Sequence, residues 1–370
     1  MGKRQHYVPR FYLRRFGSTA KQIDLLNLSS RKVVRDAALA KQCYEDHFYG
    51  KDGELEEAFS FMERHTAALL EEVISRQAVP VPGSEGWRSL IIFLAFQKLR
   101  TQAAASTSDD FFAQGVKEVL AEHPHIAPEV LERVRIESTT GLADSLNAAM
   151  DSAIEMDDLA PLLITSREHA FITSDDPVCS YNTFAQQVHW QGTVGAACRG
   201  LQIVFPMTPS LCLVLFDAGV YGASTKKLVH QATMHDVGHL NRLVASQAHE
   251  NIYFGPWLSK RQAERIAKKV ERARATPRVK LAKADETTGP VGQPGKRSTL
   301  IYMYFPFPRT GFELSMLHLR TAAKAIPEWS RGNMFRNPVR RPDGAKPPRA
   351  PGDPPRVWVE RGGGARWYAD

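Results

Sequence analysis

Four side chains able to move protons or bind phosphate fall within eight residues near the start of the chain. They are His6, Tyr7, Arg10 and Tyr12 of His6-Tyr7-Val8-Pro9-Arg10-Phe11-Tyr12-Leu13. An imidazole and a guanidinium this close suit acid/base work or contact with a phosphate. The same residues also suit a plain anchor, with the aromatics in the core and His6 in a satisfied hydrogen bond. A second group is Phe171-Ile172-Thr173-Ser174-Asp175-Asp176-Pro177-Val178, an apolar run that ends in a hydroxyl and two carboxylates. Ser174 and Asp175 at a strand end could catalyse or ligate, or Asp175 could cap backbone N–H groups in an Asx-type turn.

The third group is helical. Glu56 and Glu63 are two turns apart and share a face with Phe59 between them, while Gln97 and Arg100 share a face of an otherwise apolar segment. A buried charge without a partner is costly, so a Glu63–Arg100 or an Asp175–Arg100 ion pair is expected. Such a pair is either a structural tie between layers or the floor of an active site. His235 and His239 are four apart, a metal-ligand spacing on a helix, but Gly238 lies between them and no acidic residue stands in a zincin position. No phosphate-binding Gly-rich loop, dinucleotide fingerprint, HExxH, GxSxG or EF-hand loop is found.

The elements that must position these groups follow from periodicity. After Pro9, Tyr12, Leu13 and Phe16 predict a short helix that pins the N-terminus, and Gln22–Leu28 and Arg31–Val34 around Ser29-Ser30 predict a β-hairpin. A helix is predicted from about Gly53 to Gln77, with Leu55, Phe59, Met62, Leu69, Leu70, Val73 and Ile74 as its apolar stripe. A second, buried helix follows the N-cap Ser84 and runs toward Thr101, and further helices are expected near 108–122, 126–136 and 141–156. Leu159–Thr165, Ala170–Thr173, Leu201–Phe205 and Leu211–Phe216 read as buried strands. Helices return at Lys226–Val229, Val237–Ala248 and Lys260–Ala273, then a strand over Thr299–Pro308 and a helix over Phe312–Ala325.

The expected fold class is α+β: a helical layer over residues 53–156 packed on a small, mostly buried sheet, with an N-terminal hairpin. The domain plan is one core over 1–275, a linker over 276–299, a strand/helix extension over 300–326, and a disordered basic Pro/Gly-rich tail over 327–370. The 370 residues, 43% hydrophobic and 24% charged, are ample for a real core. No apolar run approaches the roughly 20 residues that span a bilayer. With no apolar leader after Met1 and no CxxC spacing among Cys43, Cys179, Cys198 and Cys212, the expectation is a cytoplasmic protein with reduced thiols and no membrane partner. The net charge of +8 is divided as +6 over residues 1–50, −12 over 51–200, zero over 201–258 and +14 over 259–370. Basic ends attract nucleic acid by counterion release, or simply solvate.

These segments resemble a known family, domain of unknown function 4238, whose hallmark is an N-terminal His-Tyr-Val-Pro motif. His6-Tyr7-Val8-Pro9 carries the resemblance. It is continued by Phe11-Tyr12-Leu13 and Phe16, the Glu56/Glu63 helix, Gln97-Lys98-Leu99-Arg100-Thr101, Ser174–Val178 and Phe205-Pro206-Met207-Thr208-Pro209, over about residues 4–255. The resemblance implies a widespread, mostly bacterial family without an established activity and supplies no catalytic residues. Two functions are therefore expected. One is a metal-dependent hydrolase, phosphodiesterase or nuclease, with His6, Arg10, Tyr12, Gln97, Arg100, Ser174 and Asp175 as its catalytic set. Glu56, Glu63 and Asp175 would hold Mg²⁺ or Mn²⁺. The other is a non-catalytic nucleic-acid-binding or regulatory protein whose polar residues fix the packing.

Overall fold

In a computed structural model of the chain, the described residues are 4–51, 53–121, 125, 128–133, 141–167, 170–186, 194–224, 228–275, 280–288, 296–304, 311–324, 336, 357–359 and 365–367. The N-terminal region contains β1 (Arg4–His6), α1 (Arg10–Leu13), β2 (Gln22–Asn27), β3 (Val33–Ala38) and β4 (Tyr44–Asp46). A run of helices follows: α2 (Glu54–Arg76), α3 (Glu85–Leu99), α4 (Gln102–Ala121), α5 (Pro128–Arg133) and α6 (Gly141–Met156). Then come β5 (Ala160–Thr165), β6 (Thr173–Ser174), β7 (Cys179–Tyr181), α7 (Thr183–Gln186), β8 (Gln202–Thr208) and β9 (Leu211–Phe216). The next elements are β10 (Tyr221–Ala223), β11 (Val229–Gln231), α8 (Met234–Gln247), β12 (Asn251–Phe254) and α9 (Lys260–Arg274). Last are β13 (Lys280–Thr288), β14 (Lys296–Tyr304), β15 (Leu317–Leu319), α10 (Thr321–Lys324), β16 (Val357–Val359) and β17 (Ala365–Trp367).

The fold is α+β, with two sheets between two helical layers. One sheet has the order β11-β5-β9-β8-β7, the other β3-β2-β12-β6. All neighbours in both are antiparallel except β11 and β5. Alternation in β8 and β9 sends successive side chains to opposite faces. Ile203, Phe205, Met207, Leu211, Leu213 and Leu215 join Trp87, Phe93 and Leu94 of α3 in one core. Val204, Cys212, Val214 and Phe216 join Val237, Leu240 and Val244 of α8 and Val270 of α9 in the other. Both faces are covered, which is why these strands read as continuous apolar runs. All four cysteines are buried, and none is in a disulfide.

Helix α3 starts where expected: the Ser84 hydroxyl accepts from Trp87 N–H at 3.2 Å. Trp87, Leu90, Ile91, Phe93 and Leu94 are then all buried, so this helix has almost no polar face. Each such side chain contributes about 1.5–3 kcal/mol.

Several elements differ from expectation. The hairpin forms as β2–β3, but β2 has a second partner, β12, whose four residues are too short a run to read from sequence. Over 226–229, residues 225–227 lie outside the described set, and Val229 opens β11 rather than ending a helix. The expected linker over 276–299 contains β13 and the start of β14, paired over nine residues each; the strand expected over Thr299–Pro308 is this β14, and 305–308 lie outside the described residues. The helix expected over Phe312–Ala325 is instead an extended strap with β15 and one turn of α10. Phe312, Leu314 and Met316 are buried in alternation, period two rather than 3.6, and β15 pairs with β10. The tail over 327–370 falls mostly outside the described residues; Arg336 is buried on the core, and β16 pairs with β17.

Candidate functional site

The N-terminal motif is threaded between α2, α3 and the turn at 47–50. Val8 is fully buried, and the Pro9 carbonyl accepts from Tyr12 and Leu13 N–H, which starts α1. Tyr12 stacks on Phe205 at 5.0 Å and its hydroxyl lies 2.7 Å from the Pro206 carbonyl and 2.5 Å from Thr173 Oγ1. Burial holds its phenol well above the ordinary 10. Tyr12 is thus an apolar anchor with a satisfied polar tip. Arg10, at the first position of α1, is exposed.

Beneath the motif lies a connected polar network. Arg100 has no exposed surface, yet its Nε and Nη2 donate to Gln97 Oε1 at 3.0 and 2.7 Å, and its Nη1 donates to Glu63 Oε1 at 2.9 Å. The guanidinium also lies 4.9 Å from the Phe59 ring centre, a cation–π contact. Gln97 Nε2 donates to the Tyr7 carbonyl at 3.0 Å, which ties α3 to the motif's backbone. Tyr49 donates its hydroxyl proton to the His6 carbonyl at 3.2 Å. Gln5 donates to the Gly50 carbonyl at 3.0 Å and to Glu56 Oε2 at 3.1 Å, and accepts from Tyr49 N–H at 2.6 Å. The ion pair is therefore Glu63–Arg100, the first of the two expected partners.

His6 sits at the rim of this network, half-buried, with its ring 5.8 Å from that of Tyr44. Its Nε2 is buried without a hydrogen-bond partner among the described residues. Burial lowers its pKa below the ordinary 6.5, with Arg10 and Arg4 acting the same way and the Ala40 carbonyl and Glu56 opposing.

Asp175 occupies a different arrangement. Its carboxylate accepts from the backbone N–H groups of His249, Glu250 and Asn251 at 2.7, 2.7 and 2.8 Å. It holds the turn that carries α8 into β12. Burial pushes its pKa up despite the three amides that pull it down. Ser174 donates to the Asp176 carbonyl at 2.9 Å and accepts from the Asp176 N–H at 3.1 Å, a local turn contact.

The structure thus brings together Glu56, Glu63, Gln97 and Arg100 with the backbone of the motif, and sets Asp175 and Ser174 on the β6–β12 side. Glu56 is engaged by Gln5, Glu63 by Arg100 and Asp175 by three amides. Among the described residues no three His, Cys, Asp or Glu side chains assemble into a group that could hold a metal ion. His235 and His239 do meet, Nε2 to Nε2 at 3.0 Å, and His239 Nδ1 accepts from Glu313 N–H of the strap at 3.2 Å.

A second surface is built by α9. Ser259 and Gln262 form a capping box at its start. Ala263, Ala267 and Val270 turn inward, small residues that let α9 lie close on α8. Arg274 spans the end of α8, donating to the carbonyls of Ala248 and His249. Outward, Arg261, Arg265, Lys268 and Arg272 are all exposed at spacings of four, three and four. They form one stripe about 16 Å long, with Lys269 beside it. Glu271 is taken up by Arg31 at 2.5 Å, which places the exposed Arg31 and Lys32 of the β2–β3 turn next to this stripe. The basic first segment of the chain and the basic helix are joined here.

The sequence pattern of a family described as a protein of unknown function (DUF4238) matches residues 4–256, about two thirds of the chain. The chain belongs to the DUF4238 family. No curated protein and no solved structure matches it. The DUF4238 match contains the whole network, from Gln5 to Arg100, and the Asp175 turn, and it ends just after β12. The α9 stripe and the strap are outside it, although both pack on the core that the DUF4238 residues build. Sequence reading missed Gln5 and Tyr49, which complete the DUF4238 network. Gln5 adjoins the motif and could have been included; nothing in the sequence marks Tyr49, because a turn residue reaches the network only through the fold.

Proposed function

We propose that this protein is a non-catalytic nucleic-acid-binding protein. In this reading the polar network fixes how the N-terminal motif, α2 and α3 pack, and the outer face of α9 makes the contact. The supporting observation is the stripe Arg261, Arg265, Lys268 and Arg272, with Arg31 and Lys32 alongside. Cations stepping about 5–6 Å along a helix suit contact with successive phosphates, and contact with phosphates gives affinity without sequence preference. The closed state of the network supports the same reading, since Arg100 and Gln97 present no surface to a substrate.

The test is binding of labelled single- and double-stranded DNA and RNA across a salt series. Arg265→Ala/Lys268→Ala should weaken all sequences alike and lower the salt slope by about one per phosphate contact removed, at unchanged Tm. Salt-insensitive binding, or none, or no effect of the pair would remove this reading. A second reading, hydrolysis of a phosphodiester, draws on one observation, the half-buried His6 whose Nε2 has no hydrogen-bond partner among the described residues. Cleavage in the same samples with added Mg²⁺ or Mn²⁺, lost with chelator and in His6→Ala, would put that reading first.

A further inference from the structure

Arg336 is held by the core through all three of its side-chain nitrogens. It is only 8% exposed. Its Nε donates to both oxygens of Asp158 at 3.0 and 3.1 Å, and its Nη1 donates to the Cys198 carbonyl at 2.8 Å. Its Nη2 donates to the carbonyls of Glu155 and Ala196, and its backbone N–H to that of Ala197 at 2.9 Å. These partners come from two segments of the folded core. Glu155 is in the last turn of α6, where unpaired carbonyls form the negative end of the helix dipole. Asp158 follows that helix directly. Ala196 and Cys198 lie in the turn before β8, whose shape is set by bonds from Cys198 N–H to Gly195 and from Leu201 N–H to Cys198.

One carboxylate and three carbonyls therefore converge on a planar, forked cation. The geometry selects arginine over lysine. A guanidinium directs donors from three nitrogens to separate acceptors, whereas an ammonium has one nitrogen and cannot span them. The acceptors are also poorly placed to be left alone, because Asp158 is two-thirds buried and its burial already disfavours its charge. Vacating the socket without a replacement is costly, and another guanidinium satisfies the same acceptors.

We infer that this socket is a recognition site for an arginine side chain presented by a peptide, and that Arg336 fills it within the chain as an exchangeable occupant. Through it Arg336 is tethered to the end of α6. The site is separate from α9 and does not depend on the nucleic-acid reading.

The experiment uses the full-length chain and a synthetic peptide with the sequence of residues 332–339, Gly-Asn-Met-Phe-Arg-Asn-Pro-Val, followed by titration calorimetry. Arg336→Ala should bind the peptide saturably at one site per chain. Wild type should bind it at least tenfold more weakly, because its own arginine competes. Binding should be lost in Arg336→Ala/Asp158→Asn, and a peptide with lysine in place of the arginine should bind at least tenfold more weakly. Should Arg336→Ala fail to fold, Arg336→Lys serves as the recipient, since it keeps a tail cation that fits the fork poorly. No binding to a folded recipient, equal binding to wild type, or equal binding of the lysine peptide would each overturn the inference.

Discussion

Arg100 is a full charge removed from water, and its cost is offset by Gln97, Glu63 and the face of Phe59. Arg100→Ala leaves Glu63 and Gln97 without their partner. The expected loss is about 3 kcal/mol, the low end for a broken buried pair, because the Glu63 side chain is 25% exposed and partly solvated. Urea denaturation measures it. Arg100→Lys should recover little, since one ammonium cannot reach Gln97 Oε1 and Glu63 Oε1 from three nitrogens. Asp175→Ala is also a stability change: it strands the three backbone amides of a partly buried turn, for a loss of about 1–3 kcal/mol. Nucleic-acid affinity at constant folded fraction should not move. If Asp175→Ala abolished an activity while Tm held, its role would be chemical. Asp175 and Arg100 could be singled out in the sequence, one by its place at the end of an apolar run, the other by its place on an apolar helix. Which acid faced Arg100 could not, because the choice depends on the crossing of α2 and α3.

At the scale of elements, the strap over 311–324 is sensitive to pH. Two groups of α8 hold it. Asp236 accepts from Ser315 N–H and Oγ at 2.7 and 2.8 Å, and His239 accepts from Glu313 N–H at 3.2 Å. Burial lowers the His239 pKa below the ordinary 6.5, with Arg242 and His235 adding to it and Gly311 and Glu313 opposing. A histidine lowered on folding contributes stability that is present above 6.5 and is lost as pH falls through its folded value. Asp236 is raised by burial, but the Ser315 amide and Thr233 outweigh this and bring it below the ordinary 3.8. Its contribution is full above 3.8 and is lost as pH falls through the lower, folded value. Protection against amide exchange at Glu313 and Ser315, taken relative to the intrinsic rate at each pH, should therefore fall in two steps on acidification, the first below pH 6.5 and absent in His239→Gln. A single step below pH 4 in wild type would show that His239 does not contribute. The strap is extended where the sequence predicts a helix. Phe312, Leu314 and Met316 are spaced by two, but three residues are too few to overrule the helical appearance of Leu317 to Ala325.

For the whole molecule, the family boundary and the folding boundary differ. The DUF4238 match stops at 256, but the core does not. Phe312 is fully buried against Tyr181 at 5.1 Å, and its carbonyl accepts from Thr183 Oγ1 at 2.8 Å. Phe312→Ala should cost about 3–5 kcal/mol, and a chain ending at 275 should melt lower still and expose apolar surface to dye. A chain ending at 340 should keep its Tm, and a large fall there would assign the last residues to the core. The sequence by itself determined the α+β class, the helices from 53 to 156, the apolar strands β5, β8 and β9 and the basic ends. Each of these is written in local spacing, in hydrophobic period or in composition, which act over a few turns of chain. Only the tertiary structure decided that Asp175 faces backbone amides and not Arg100. It also decided that Arg31 stands beside α9, that β12 divides β2 from β6, and that Arg336 lies at the end of α6. Those are contacts between residues tens to hundreds of positions apart, and no local pattern encodes them because they arise from which apolar faces bury one another.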